Sequence, residues 1–260
     1  MKRGQVTLFI IIGILLVIVI GLFLHYKGTL SDIREFSIGT EIVLSQEAQE
    51  IYDLVDECMG ETTETSFIFL GQQGGYYEVP DKYYDTGFSQ IPYFLYEGAR
   101  MNNQDISVFE EEFNKQFGFD FIYCVALIAE SDETIEVTYE DYDSEIKIIE
   151  GEIVINVELP ISIELNNGTY EFSEFQYYEN TNIYKILELK DQILELNEEK
   201  LNYVPLSSLM DLLTETDIGL ELNRDGEEVL YILTDSNFSK NGLPYDFQFL
   251  IKYEWIENEE

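Results

Sequence analysis

One histidine and two cysteines are all that this 260-residue chain holds of the commonest soft metal ligands, and that scarcity excludes whole classes of chemistry. A structural zinc site takes four Cys or His side chains. A hydrolytic triad needs a histidine inside a folded body, whereas His25 follows directly on a long apolar run and reads as an interfacial residue beside Tyr26 and Lys27. Positive charge is scarce as well. Fourteen Lys and Arg stand against 52 Asp and Glu, a formal charge of -38, so the surface repels phosphate backbones and nucleic acid is excluded as a partner. Disorder is excluded in turn, because 45% hydrophobic and 14% aromatic residues supply enough apolar surface for a core.

The most pronounced feature that is present is Val6 to Leu24, nineteen residues without charge or proline. At 1.5 Å per residue it is about 28 Å long, close to the hydrocarbon thickness of a bilayer. Its exit, Leu22-Phe23-Leu24-His25-Tyr26-Lys27, lacks the small-x-small pattern of a cleaved secretory signal, so an uncleaved span is expected. Lys2 and Arg3 precede it and the first carboxylate is Asp32, which predicts a cytoplasmic amino terminus and a body outside the cell membrane. Without those two cations, 12 Lys and Arg face 52 acids beyond the span, a charge of -40 for the exported part. An exterior this acidic is tolerated best where salt or divalent ions screen it.

The start Met1-Lys2-Arg3-Gly4-Gln5, running straight into an Ile/Leu/Val helix, resembles the class III signal peptide of archaeal type IV pilin-like proteins. The resemblance covers about the first 24 residues and implies cleavage between Gly4 and Gln5, with the apolar helix kept on the mature protein for assembly. One position departs from the pattern: Phe9 stands where many pilins carry a glutamate. An ordinary signal-anchor flank remains the alternative reading of Lys2-Arg3-Gly4.

Four segments are therefore expected: a basic cytoplasmic leader (1–4), a transmembrane helix (5–24), a stalk (25–40) and an acidic α+β extracellular domain (41–260). Ile42, Val43, Ala48, Ile51, Leu54, Val55 and Cys58 recur at helical steps and predict an amphipathic helix ending near Gly60. Ser107 to Glu110 reads as a capping box for a second helix, with Phe109, Phe113 and Phe117 on one face before Gly118. Ile135, Val137 and Tyr139 alternate with polar residues, as do Ile153 through Leu165, which predicts half-buried antiparallel strands. Pro160 makes the longer run an edge strand or places a bulge there, and Asn167-Gly168 turns it into a hairpin with Thr169 to Phe175. Helices follow at Tyr184 to Lys200 and from Pro205. A hairpin about Asp225-Gly226, joining Ile218 to Leu222 with Val229 to Leu233, and a strand from Tyr245 to Trp255 close the chain, with a seam at Glu179 to Ile183 the one internal boundary considered.

Candidate site residues are few. Gly71-Gln72-Gln73-Gly74-Gly75-Tyr76-Tyr77 is a dense glycine segment without the Lys-Ser or Lys-Thr of a phosphate loop, and reads as a turn. It resembles a stretch in uncharacterised membrane-anchored archaeal proteins, which implies no activity. Asp141, Asp143 and Glu145 alternate and could gather oxygens around calcium, the one cofactor left open, although Ile146 stands where a helix-loop-helix calcium loop wants glycine. In a strand the three would share a solvated face. Cys58 and Cys124 are expected to form a disulfide in an oxidising compartment, two separate buried thiols being the alternative. Asn167 (Asn-Gly-Thr) and Asn237 (Asn-Phe-Ser) complete glycosylation sequons. The expectation is a non-enzymatic surface protein: a pilin-like structural or assembly component of a surface filament or envelope complex. Its expected partners are membrane lipid, copies of itself through the amino-terminal helix, and other surface proteins. A monomeric tethered binding or accessory protein is the alternative, and an ectoenzyme the third class.

Overall fold

Two long helices and two sheets enclose the core of this protein in a computed structural model that describes residues 45–254 apart from 102–103, 132, 167, 199, 201, 215 and 239–243. In chain order the described elements are α1 (Gln46–Gln72), β1 (Tyr83–Asp85), β2 (Gln90–Tyr96), β3 (Ala99–Arg100), α2 (Ile106–Ser131) and β4 (Ile135–Val137). A 3-10 turn (Tyr139–Asp141) leads to β5 (Asp143–Ile149), β6 (Glu152–Leu165), β7 (Gly168–Asn180), α3 (Ile183–Glu198) and α4 (Leu206–Leu213). The strands β8 (Ile218–Asp225), β9 (Glu228–Asp235) and β10 (Tyr245–Lys252) follow. The fold is α+β. Among these residues no helix is long and apolar enough to cross a membrane; the span at Val6–Leu24, the stalk and the leader lie outside them, as do Ile42, Val43 and Trp255.

One sheet has the order β1-β2-β10-β9-β8, with β3 on β2. All its pairs are antiparallel except β2 with β10, so the sheet is mixed where antiparallel strands alone were expected. In the other sheet β6 is central, with β7 on one side and β5 and then β4 along the other. Pro160 therefore lies in a central strand, and the bulge is the solution adopted: the β6–β7 register shifts between Glu158 and Ile161. The proline has no N–H to lose to the ladder, and its carbonyl still accepts the Thr138 N–H at 3.0 Å. The alternation of β6 survives, since Leu159 and Ile161 on either side of Pro160 are both buried. The hairpins at Gly168 and Gly226 form as expected.

Three helix boundaries differ from expectation. α1 continues twelve residues past Gly60, which is buried within it. Gly60 is not a terminator because the stop signal lies further on: Gly74 takes a left-handed φ of 61°, the Gly75 N–H bonds the Leu70 carbonyl at 2.7 Å and the Gly74 N–H bonds that of Gly71 at 3.3 Å. That is a Schellman cap. α2 starts one residue before Ser107, and its cap is Asp105, whose carboxylate takes the Val108 N–H at 3.0 Å and the Ser107 hydroxyl at 2.7 Å. Glu110, the other half of the expected capping box, instead accepts the Ile148 N–H of β5 at 2.7 Å. α2 also runs through Gly118, where a Cβ would stand 3.0 Å from the Tyr142 hydroxyl; the glycine admits a neighbour instead of ending a helix. Tyr139 leaves the strand it was assigned to and opens the 3-10 turn.

α1 and α2 are antiparallel, as their paired side chains show: Phe67 meets Phe113 at 4.8 Å near one end and Cys58 is bonded to Cys124 near the other. Phe109, Phe113, Phe117 and Phe121 form a fully buried column with successive ring centroids 6.2, 6.3 and 5.4 Å apart. Ile153, Ile155, Val157 and Ile163 of β6 and Tyr231, Leu233, Phe247 and Phe249 of β9 and β10 belong to the same core cluster. The described residues from Gln46 onward form one compact unit, and the supposed seam at Glu179–Ile183 is tied down: buried Asp235 accepts both the backbone and side-chain N–H of Asn182, at 3.1 and 3.2 Å.

Candidate functional site

The turn from β5 to β6, the first turns of α3 and the entry to β8 meet around an open cavity of about 370 Å³, lined by Glu150, Gly151, Asn182, Tyr184, Lys185, Glu188, Thr216, Asp217 and Ile218. Local sequence builds it. Gly151 turns the hairpin with φ 87° and its carbonyl accepts the Thr181 N–H at 3.1 Å, while the Thr216 hydroxyl donates to the Leu213 carbonyl at 3.1 Å and fixes the last turn before β8. Its chemistry is plain: Glu150, Glu188 and Asp217 are exposed carboxylates, and Lys185 pairs with Glu188 at 3.4 Å. The cavity has the walls of an open polar groove.

The most unusual ionisable group lies elsewhere. Lys190 of α3 is buried, donates to the Gln104 carbonyl, pairs with Asp191 at 2.9 Å and sits 5.6 Å from the Phe94 ring centroid. Burial pulls its ammonium below the usual lysine range, and Asp191 opposes that shift. Gln104 in turn donates to the Gly75 carbonyl at 2.6 Å, so one lysine ties α3 to the entry of α2 and to the cap of α1. Seven residues on, buried Asn197 accepts from the hydroxyls of Tyr231 and Tyr253. Burial raises the Tyr231 phenol to about 12 and the Tyr253 phenol well above its usual range. These groups are a polar framework inside the core. They are legible in hindsight: Ile183, Ile186, Leu187, Lys190, Ile193, Leu194 and Asn197 make one helical stripe, and a lysine and an asparagine on an apolar stripe signal buried polar partners.

The residues singled out from the sequence fall as follows. Cys58 and Cys124 are joined, as expected, with Cα atoms 5.9 Å apart, and both lie inside their helices. The glycine segment Gly71–Tyr77 is the structural turn, being the α1 cap. Asp141 ends the 3-10 turn, while Asp143 and Glu145 lie on the solvated side of β5. All three are exposed, Glu145 pairs with Lys147 at 3.5 Å, and Ile146 is a core residue. Among the described residues no group of three or more His, Cys, Asp or Glu is placed to hold a metal ion, so these carboxylates are not drawn together. Asn237 is exposed, with its N–H on Asp235 at 3.0 Å. Asn167, Gly4, Gln5 and His25 lie outside the described residues. Comparison with models of known protein families, with characterised proteins and with solved structures finds no match to this chain.

Proposed function

We propose that this protein is a membrane-anchored extracellular surface component with a pilin-like structural or assembly role. The observation that carries the reading is the order Lys2-Arg3-Gly4-Gln5 followed by the uncharged run Val6–Leu24: a basic flank holds the amino terminus inside, a glycine offers a cleavage point, and the apolar helix stays attached. A further property supports it: a disulfide suits an oxidising exterior. The alternative, a monomeric tether, is favoured by Phe9, which leaves no carboxylate to pair with a neighbour's new amino terminus.

The native amino terminus separates the two. Mass spectrometry of protein from its host should find a chain beginning at Gln5, and Gly4→Leu should block processing and abolish assembly. A native Met1 terminus, together with monomers after gentle detergent extraction in high salt, would decide for the tether.

A further inference from the structure

We propose that Asn237 carries an N-linked glycan, transferred to the chain before the turn between β9 and β10 has packed. It rests on the export reading above, because an acceptor of this kind is modified in exported proteins. Asn237-Phe238-Ser239 completes the acceptor tripeptide, and its asparagine stands where a glycan has room. Asn237 follows shortly on the end of β9 at Asp235 and is exposed. Its backbone N–H is held by the Asp235 carboxylate at 3.0 Å. Among the described residues its side-chain amide has no hydrogen-bond partner, so the amide is open to a reagent arriving from solvent.

The charge around the site suits the reaction. The co-reactant is an oligosaccharide carried on a lipid phosphate, an anion that a chain of formal charge -38 repels over most of its surface. From Ser236 to Tyr245 the sequence has no acid, and Lys240 supplies a cation. Asp235, the nearest carboxylate along the chain, is buried and taken up by the N–H groups of Asn182 and Asn237. In the transfer, Asn237 Nδ2 bonds to the anomeric carbon of the first sugar while the bond from that carbon to the phosphate oxygen breaks. The lipid phosphate leaves with the electron pair, and one amide proton passes to a base of the transferase. No oxidant or reductant takes part.

The order of events follows from Phe238. An enzyme that reads both ends of the tripeptide, Asn237 and Ser239, has to take hold of the residue between them. In the folded protein Phe238 is buried, with its ring centroid 4.9 Å from that of Phe67 on α1 and 6.2 Å from that of Tyr245 on β10. Presenting the tripeptide would draw this ring out of the core and expose the apolar surface it covers. Transfer therefore belongs to the chain as it emerges from the membrane, before β10 has paired with β9.

The test combines two measurements on the full chain in its host: digestion of the body by protease added to intact cells, and the mass of the peptide that contains Asn237. The expected result is a digested body and a peptide heavier by one oligosaccharide. Ser239→Ala, which leaves Asn237 in place, should return that peptide to its sequence mass, and Ser239→Thr should keep the glycan. A digested body whose Asn237 peptide has its plain sequence mass would overturn this site and leave the anchoring reading standing. A body protected from protease would overturn both. For the order of events, protein folded in a host without the transferase and then mixed with membranes of the native host should stay unmodified, whereas a synthetic peptide from Thr234 to Leu243 should gain the glycan. Modification of the folded protein at Asn237 would overturn the order.

Discussion

Gly71 and Gly87 are glycines for opposite reasons, and substitution separates them. A Cβ on Gly71 would stand 2.3 Å from the Asp246 carbonyl oxygen and 2.7 Å from a ring carbon of Tyr245, so α1 lies against β10 at backbone distance. Gly71→Ala should cost about 3 kcal/mol, at the upper end of overpacking because a backbone oxygen cannot swing aside, and Gly71→Asn should cost more. Gly87 has φ 82° with nothing within 4 Å of its would-be Cβ. There Ala should cost about 1 kcal/mol of left-handed strain, and Asn, which tolerates that region, less than Ala. Urea midpoints for the four variants check the reversed order. The buried phenols make a second residue-level prediction. Tyr231 ionises near 12 in the folded protein against 10.0 in the open chain, and Tyr245 and Tyr253 are raised as well. A raised folded pKa contributes stability that is complete below 10 and is lost as pH climbs through the window up to about 12, since only the unfolded chain gives up those protons there. Of the absorbance of 19 tyrosines, the last fraction to appear in an alkaline titration should come together with loss of secondary structure, and Tyr231→Phe should reduce that fraction. Ionisation of these phenols in a chain that stays folded would contradict it.

At the scale of elements, what alternates in the sequence is what could be read. The six buried residues of β6 and the phenylalanine column of α2 come from periods of two and four, each reporting one buried face, and both hairpins come from a glycine-containing turn dipeptide. Missed elements have no period to show. β2 is buried from Ile91 through Leu95, because it lies between two strands with side chains covered on both faces, and its continuous apolar run with Pro92 carries no alternation. Helix ends differ from the sequence reading where a glycine lies inside the helix, buried at Gly60 and against Tyr142 at Gly118, since composition does not distinguish an interior glycine from a stop. Of the candidate site, the disulfide was legible because only two thiols exist, whereas the Lys190 framework and the cavity join segments far apart in sequence. The α1–α2 pair also carries a prediction. Cys58 and Cys124 close a separation of 66 residues, worth about 4 kcal/mol in the chain-entropy account. The double change Cys58→Ser and Cys124→Ser should lower unfolding free energy by about that amount, and reduction of the native protein should match it. A loss below about 1 kcal/mol would mean that the Phe67, Phe109 and Phe113 packing already holds the two helices together.

For the whole molecule the dominant quantity is the charge of -38. Ion pairs offset little of it: Arg100 with Glu198, Lys115 with Glu112 and Lys252 with Glu227 use cations of which the chain has only 14, and such surface pairs contribute at most about 1 kcal/mol each. Unpaired carboxylates spread over both sheets therefore repel across the body, and unfolding relieves that repulsion by separating them. Salt should relieve it too. Because the Debye length falls from about 30 Å at 0.01 M to about 10 Å at 0.1 M and about 3 Å at 1 M, most of the gain in unfolding midpoint with sodium chloride should arrive by a few tenths molar and then level off. A rise that stays linear to the highest concentration would indicate solute exclusion from the surface instead. Divalent ions sharpen the test. Asp141, Asp143 and Glu145 are exposed and not gathered around a common point, so calcium and magnesium at equal ionic strength should raise the midpoint alike, each acting as a screening ion. A calcium-specific increase, abolished by Asp143→Asn with Glu145→Gln, would show that the loop before β5 reorganises around the ion and that general screening is an incomplete account of how this acidic body is held together.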